Sequence, residues 1–369
     1  MNVGQAPDLL AVRPFYCPIA PASSSWAAEL NALAEDWLSI QGFEPDEEQR
    51  KRLSRANLGE LAARTMPGGH KNALANATRQ YIAFFALDDA CFDELPMPLS
   101  ELTRKQSIIL SAIQHPEIRW PDEDAYVTAS REIASGWKAI ASPAQFQRWV
   151  EGMRAFFFGV TWEAVYRHRD KLPGLNEYVA MWMRAIGMSP VLALVDTVGG
   201  YEVASSDLAR PRVQALIEMA HFLVAWDNDF ISRAKEIRRA HDRLNIVDVI
   251  AAERGIEPAQ ALNAATAMRD RVMCLFLHTR DQVTSSQDVH ENLRRYAAGL
   301  AHYIRGHLDW ALSCERYTNV RPTENAHREA PPSPWKDSPD DDDFMRPLPI
   351  PAITWWWNPS VSSPLEDGR

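Results

Sequence analysis

From Leu293 to Leu312 the chain repeats apolar residues at Leu293, Tyr296, Ala297, Leu300, Ala301, Ile304, Leu308, Ala311 and Leu312. Steps of three and four residues put all of them on one stripe of an α-helix. The run is too sustained for strands and too irregular for a simple coiled coil. A shorter example passes through Leu30, Leu33, Ala34, Trp37 and Leu38, behind the capping candidates Ser23 to Ser25 and ahead of Gly42. Convincing strand alternation occurs nowhere. Further helices are predicted at about 47–66, 73–92, 99–113, 122–139, 143–169, 174–197, 210–240 and 258–281. Pro67-Gly68-Gly69, Pro173-Gly174 and Gly199-Gly200 punctuate them. The pattern predicts an all-α fold, a single helical domain around a central cavity.

With 369 residues, 46% of them hydrophobic, the chain can build a substantial core. A formal net charge of -10 disfavours nucleic acid and anionic membrane surfaces, both of which need a basic face. Any anion must be captured locally, by metal. The opening MNVGQAPDLLAVRPF lacks a charged region followed by a long apolar one, and no stretch of about 18 uncharged apolar residues occurs. The expectation is a soluble protein with no membrane insertion. Four scattered cysteines, Cys17, Cys91, Cys274 and Cys314, form no C-x-x-C pair, which predicts reduced thiols in the cytoplasm.

After Tyr317 the composition turns rich in Pro and Asp and closes on Trp355, Trp356 and Trp357. Prolines at that density forbid a regular helix. The boundaries expected are an N-terminal segment 1–22, a helical domain 23–317 and a partly irregular tail 318–369. Asp340 to Asp343 read as a solvated acidic linker, because like charges in series are usually exposed. Three adjacent indoles in water would form an apolar patch, so the tail is expected to dock onto the domain or a partner.

Two segments carry chemistry. DDACFDE, Asp88 to Glu94, puts four carboxylates within seven residues at the end of the apolar stretch Tyr81 to Leu87. NDFISRAKE, Asn228 to Glu236, spaces Asn228, Ser232 and Glu236 at i, i+4 and i+8, along one helix face. Hard oxygen ligands from two helices suit Mg2+, which completes its octahedron with waters and phosphate oxygens. A diphosphate is the implied substrate. Lys235 and Arg239 lie beside and one turn beyond the ladder, where cations reach diphosphate oxygens. Arg233 and Arg238 are assigned to solvent.

These segments resemble those of the class I terpene synthases of bacterial type. DDACFDE is similar to the family's aspartate-rich motif, NDFISRAKE to its NSE triad with Lys235, and Arg316-Tyr317 to its C-terminal RY pair. PFYCPIAPA at Pro14–Ala22 and RLNIVDVIAAERG at Arg243–Gly255 extend the resemblance to roughly Pro14–Tyr317. It implies a class I terpenoid synthase-like fold and Mg2+, three ions per site. Asp88 is the first-choice metal ligand, followed by Asp89 and Asp93, with Glu94 outermost, and with Asn228, Ser232 and Glu236 from the second motif. Arg316 and Tyr317, ending the long C-terminal helix, would meet the diphosphate. Phe85, three residues before Asp88, and Trp310, six before Arg316, would line the cavity, whereas Phe84 reads as core. Gly306, Ser313 and Cys314 share a face with Trp310 and leave room there.

The implied reaction is ionisation and cyclisation of an acyclic prenyl diphosphate, farnesyl diphosphate first and geranylgeranyl diphosphate second. A chain-elongating prenyltransferase ordinarily carries two aspartate-rich motifs, and a non-catalytic helical binding protein would not need the matched polar ladders. A monomer or a homodimer satisfies the resemblance equally. One position departs from the family: its diphosphate-sensing Arg lies 46 residues before the NSE Asn, where this chain has Trp182. Arg184 is the nearest substitute, two residues on and on another face of the helix.

Overall fold

The computed structural model describes residues 10–42, 47–92, 97–121, 123–169, 171–240, 242–318, 333–358 and 361. Its helices are α1 Ala27–Gln41, α2 Glu47–Arg55, α3 Leu58–Thr65, α4 Lys71–Leu87, α5 Leu99–Gln114, α6 Ala125–Ile140, α7 Pro143–Arg169 and α8 Leu175–Ala185. They continue with α9 Met188–Leu192, α10 Val195–Val198, α11 Ser205–Leu208, α12 Pro211–Ala240, α13 Ile246–Arg254, α14 Pro258–Ser285, α15 Glu291–Ser313 and α16 Glu315–Thr318. Local chemistry sets several ends. Asp124 accepts the Val127 N–H at 2.9 Å to start α6, and Glu257 with Gln260 forms a capping box ahead of Pro258 in α14. Gly42 and Gly255, both at positive φ, close α1 and α13.

Three predicted helices are interrupted. The stretch 47–66 breaks at Asn57, in the left-handed region at φ 50°. The stretch 174–197 becomes α8, α9 and α10, with the first break at Gly187, whose φ of 78° a side chain would resist. The C-terminal helix ends at Ser313: Cys314 is extended, so Arg316 and Tyr317 ride on the separate turn α16 rather than on α15. Beyond α4, residues Asp88–Phe92 continue as a π-turn, and the Asp88 N–H reaches the carbonyls of both Phe84 and Phe85. Such turns are frequent at functional sites.

Helices α4, α7, α8, α9, α12 and α15 surround a hollow, with α14 packed behind α12 and α15, and α3 against α15. Among the described residues no helix is long and apolar enough to cross a membrane. Phe15–Tyr16 (β1) pairs in parallel with Trp335–Lys336 (β2), joining the two ends of the described chain. The tail folds back as expected of its indoles: Trp356 is buried, and both it and Trp355 donate to Glu218 of α12, at 2.9 and 3.1 Å. The acidic run is not simply solvated. Asp341 pairs with Arg271 of α14 and with Arg346, because the tail lies along that helix and meets its cations.

Gly306 serves the packing of α15, not the cavity. A Cβ there would stand 2.2 Å from the Arg64 carbonyl oxygen and 2.7 Å from the Thr65 nitrogen, both backbone atoms of α3 or its edge. Gly306→Ala should gain about 1 kcal/mol of helix propensity and lose about 1–3 kcal/mol to overpacking. Net destabilisation in urea unfolding is therefore the expected outcome, and a more stable variant would refute this close approach.

Candidate active site

At the end of α4, Asp88 is part-exposed and lines the hollow, while Asp89 is buried. Arg316, almost fully buried, grips Asp89 with two bonds, Nη2 to Oδ1 at 2.7 Å and Nη1 to Oδ2 at 3.2 Å, and reaches Asp88 Oδ2 at 3.4 Å. Its guanidinium also lies 4.9 Å from the Phe85 ring centroid. Burial by itself would raise the Asp89 carboxyl, but the charge and hydrogen bonds of Arg316 hold it below the usual carboxylate range. Beside Arg316, Tyr317 accepts the Asn228 side-chain N–H at 3.4 Å, so one dipeptide touches both acidic segments.

The azimuth of α12 is fixed from behind. Asp227 makes a doubly bonded ion pair with Arg269 of α14, at 2.8 and 3.0 Å, and both side chains are fully buried. Asp229 accepts the Tyr178 hydroxyl at 2.6 Å and the Ile246 N–H at 2.8 Å, which ties α12 to α8 and to the start of α13. Arg233 is buried against Asp248 of α13 at 2.8 and 3.0 Å, not solvated, because it faces a helix packed on α12. With those three positions held behind, Asn228, Ser232, Lys235 and Glu236 turn to the hollow. Asn245 then caps α13 through Val247 N–H at 3.1 Å and donates to Glu236 Oε2 at 3.4 Å.

The hollow holds about 140 Å3, roughly ten times what one buried water needs, so it is no packing flaw. Phe84, Phe85, Phe156, Trp182 and Trp310 are among its walls. Phe84 therefore lines it too, 5.1 Å from the Phe156 ring, since the last turn of α4 exposes neighbouring positions to the same space. Trp310 is buried, donates its indole N–H to the Ala56 carbonyl at 2.7 Å and stands edge-on to Phe85 and Tyr317, each at 5.8 Å.

The donor set suits a hard cation. Ser232 Oγ is buried in the wall of the hollow with no hydrogen-bond partner among the described residues, an orphan acceptor that a hard cation would satisfy. Among the described residues no three His, Cys, Asp or Glu side chains converge as a metal cluster. The ladder instead mixes amide, hydroxyl and carboxylate oxygens, which fits Mg2+ better than softer metals. Asp93 and Glu94, and the side chains of Arg238 and Arg239, lie outside the described residues.

Arg184 is not brought to the site. It is exposed on α8 and donates to the Ala180 carbonyl at 2.5 Å, because two residues along a helix turn a side chain about 200° away from Trp182. Trp182 itself lines the hollow and donates to the Ala225 carbonyl at 3.2 Å. The wall carries a cation that sequence reasoning misses: Arg167 of α7, bonded to Glu163 at 3.0 Å and Asp242 at 2.9 Å. Its only sequence signal is a helical step of four from Glu163. His307 is missed likewise, although it sits between Tyr303 and Trp310 on the stripe that faces inward. Arg184→Ala should leave both KM and kcat within about twofold of wild type, as for a surface substitution. Slower ionisation at saturating metal would contradict its placement.

The family description "Terpene synthase family 2, C-terminal metal binding" matches residues 80–274, more than half of the chain, a span that includes both DDACFDE and NDFISRAKE. Bonnadiene synthase of Allokutzneria albata is 32% identical, covering 95% of this chain and 98% of the relative. The (+)-T-muurolol synthase ((2E,6E)-farnesyl diphosphate cyclizing) of Streptomyces clavuligerus is 30% identical over 96% of this chain and 83% of its own length. The crystal structure of the SVS_A2 protein, from ancestral sequence reconstruction, superposes with a TM-score of 0.80 at 29% identity, covering 93% of this chain and 98% of that one. Motif geometry, fold and relatives agree: the chain belongs to terpene synthase family 2 and is a class I terpene cyclase.

Proposed function

We propose that this enzyme ionises an acyclic prenyl diphosphate and cyclises the resulting allylic cation in the hollow, releasing diphosphate. The observation that carries the reading is the convergence of Asp88, Asn228, Ser232, Glu236, Lys235 and Arg316 on one aromatic-walled cavity. Asp88, with Asp93, and the ladder Asn228, Ser232 and Glu236 would hold Mg2+, three ions by resemblance, while Asp89, expected as a ligand too, has both carboxylate oxygens engaged by Arg316. When bound, the metal supplies Lewis-acid neutralisation of the departing diphosphate.

The chain's own groups do the rest. Lys235, Arg316 and Tyr317, with Arg239, contact the diphosphate and orient it toward the ligand segments. Arg316 reaches it from its clasp on Asp89, so the guanidinium is pre-positioned rather than recruited. Phe84, Phe85, Phe156, Trp182 and Trp310 wall off water and offer ring faces to the hydrocarbon cation, each worth about 0.5–2 kcal/mol at a dry site. Residues 23–317 form the catalytic unit in this reading, and outside it Phe15–Tyr16 pairs with Trp335–Lys336. Farnesyl diphosphate is the first substrate to test, supported by the farnesyl diphosphate-cyclizing muurolol synthase among the relatives. Geranylgeranyl diphosphate is the second.

Incubation with each diphosphate and Mg2+, followed by gas chromatography, tests the reading directly. Turnover should vanish in excess EDTA. Asp88→Ala and Asn228→Ala should each lower it by about 100-fold or more while helical circular dichroism is kept. Full activity with EDTA, or in both variants, would overturn the assignment. For the wall, Trp310→Phe is the informative change, since truncation to Ala would cost about 3–5 kcal/mol in lost packing, whereas Phe keeps a ring in the wall and the Ala56 carbonyl keeps its Cys314 contact at 3.4 Å. Trp310→Phe should change the product mixture with diphosphate release intact; an unchanged mixture would refute that role.

A further inference from the structure

Among the described residues that line the hollow, His307 is the one histidine. It is 6% exposed, lies on α15 one turn before Trp310 with ring centroids 6.0 Å apart, and its Nδ1 has no hydrogen-bond partner among the described residues. A buried polar group without a partner costs about 1–3 kcal/mol, so one kept in an aromatic wall calls for an explanation. Nearby polar groups are already satisfied by each other. The Tyr81 and Tyr303 hydroxyls are 3.0 Å apart, and Thr65 Oγ1 lies 3.5 Å from Tyr81 while donating to the Leu61 carbonyl at 2.7 Å.

We propose that His307 is the base that ends the reaction, taking a proton from the last hydrocarbon cation. This rests on the cyclase reading above. The C–H bond next to the cationic carbon breaks, its electron pair becomes the new C=C bond, and the proton forms an N–H bond on the unprotonated ring nitrogen. The imidazolium returns that proton to water when the product leaves. Burial supports the role from the other side: it pulls the imidazole pKa down to about 4, so at neutral pH the ring enters each cycle uncharged and does not repel a cation. The rings of Phe84, Phe85, Phe156 and Trp310 stabilise a cation without accepting its proton. The Tyr81 hydroxyl, whose pKa burial pushes up to about 12, is engaged with Tyr303. Of the carboxylates in the wall, Glu163 is paired with Arg167 and Asp88 and Glu236 belong to the two polar segments, so His307 is the base that stands among the rings.

The test separates basicity from shape. His307→Ala should still release diphosphate from the prenyl substrate, while the share of the wild-type hydrocarbon among the products falls by about tenfold or more in favour of other alkenes or alcohols. Added imidazole should restore that share; pyrrole, the same ring without a basic nitrogen, should not. Equal rescue by pyrrole would make His307 a packing residue only and overturn the proposal, as would an unchanged product profile. His307→Gln, which fills the space and takes no proton, gives the same readout if the Ala variant fails to fold. A wild-type enzyme that releases no diphosphate would remove the cyclase reading itself, a result distinct from any of these.

Discussion

Helix α12 carries charge on more than one side, and a buried charge must be paired. Asp227, Asp229 and Arg233 each find a partner on a different helix or helix start, Arg269 on α14, Tyr178 on α8 with Ile246 of α13, and Asp248 within α13. Breaking either ion pair, Asp227 with Arg269 or Arg233 with Asp248, would strand a charge at a cost of about 3–5 kcal/mol. Rotating α12 by even one residue would break all three. The ladder Asn228, Ser232 and Glu236 thus faces the hollow because the other positions have nowhere else to go. The same geometry explains how one motif mixes residues that face the hollow with residues for anchoring, alternating as the helix turns.

The second constraint is the clasp of Arg316 on Asp89. It brings α16 against the end of α4, and Tyr317 beside it touches Asn228, so the two ligand segments are held across the cavity by adjacent residues of a third element. Placing that dipeptide on a turn separate from α15 frees it from the helical phase of Trp310. Trp310 can then pack edge-on to both Phe85 and Tyr317. Had α15 run on through Tyr317, one rigid helix would have had to satisfy the wall and the clasp together.

Sequence periodicity locates almost every long helix, because each buries one face and the apolar spacing records that face. α7 at Pro143–Arg169 and α12 at Pro211–Ala240 follow the expected spans to within a residue. The breaks are less legible. Gly187 and Cys314 interrupt runs whose apolar pattern continues, and only backbone conformation tells the difference. The pairing of Asp227 with Arg269, or of Arg233 with Asp248, is invisible for another reason: a charge that is buried reads like one that is solvated until its partner is placed. Arg184 misleads by adjacency, since nearness in sequence ignores the direction of a helical side chain. Phe84 and Gly306 mislead by class, one looking like core and the other like spare room, although the hollow's outline and the α3 backbone decide both.

A chain of net charge -10 that takes an anionic substrate cannot rely on its long-range field. Its cations at the cavity are local, and each stands beside acid: Arg316 on Asp89, Arg167 between Glu163 and Asp242, Lys235 next in sequence to Glu236 and adding to the field on Asp89. Such pairs keep the guanidinium and ammonium groups fixed in a low-dielectric wall without leaving uncompensated charge. Trp182 fits this scheme. Its indole, satisfied by the Ala225 carbonyl, adds ring surface to the wall and no charge that needs a carboxylate. Arg167 lines the same cavity, and its partners Glu163 and Asp242 hold its charge in place there.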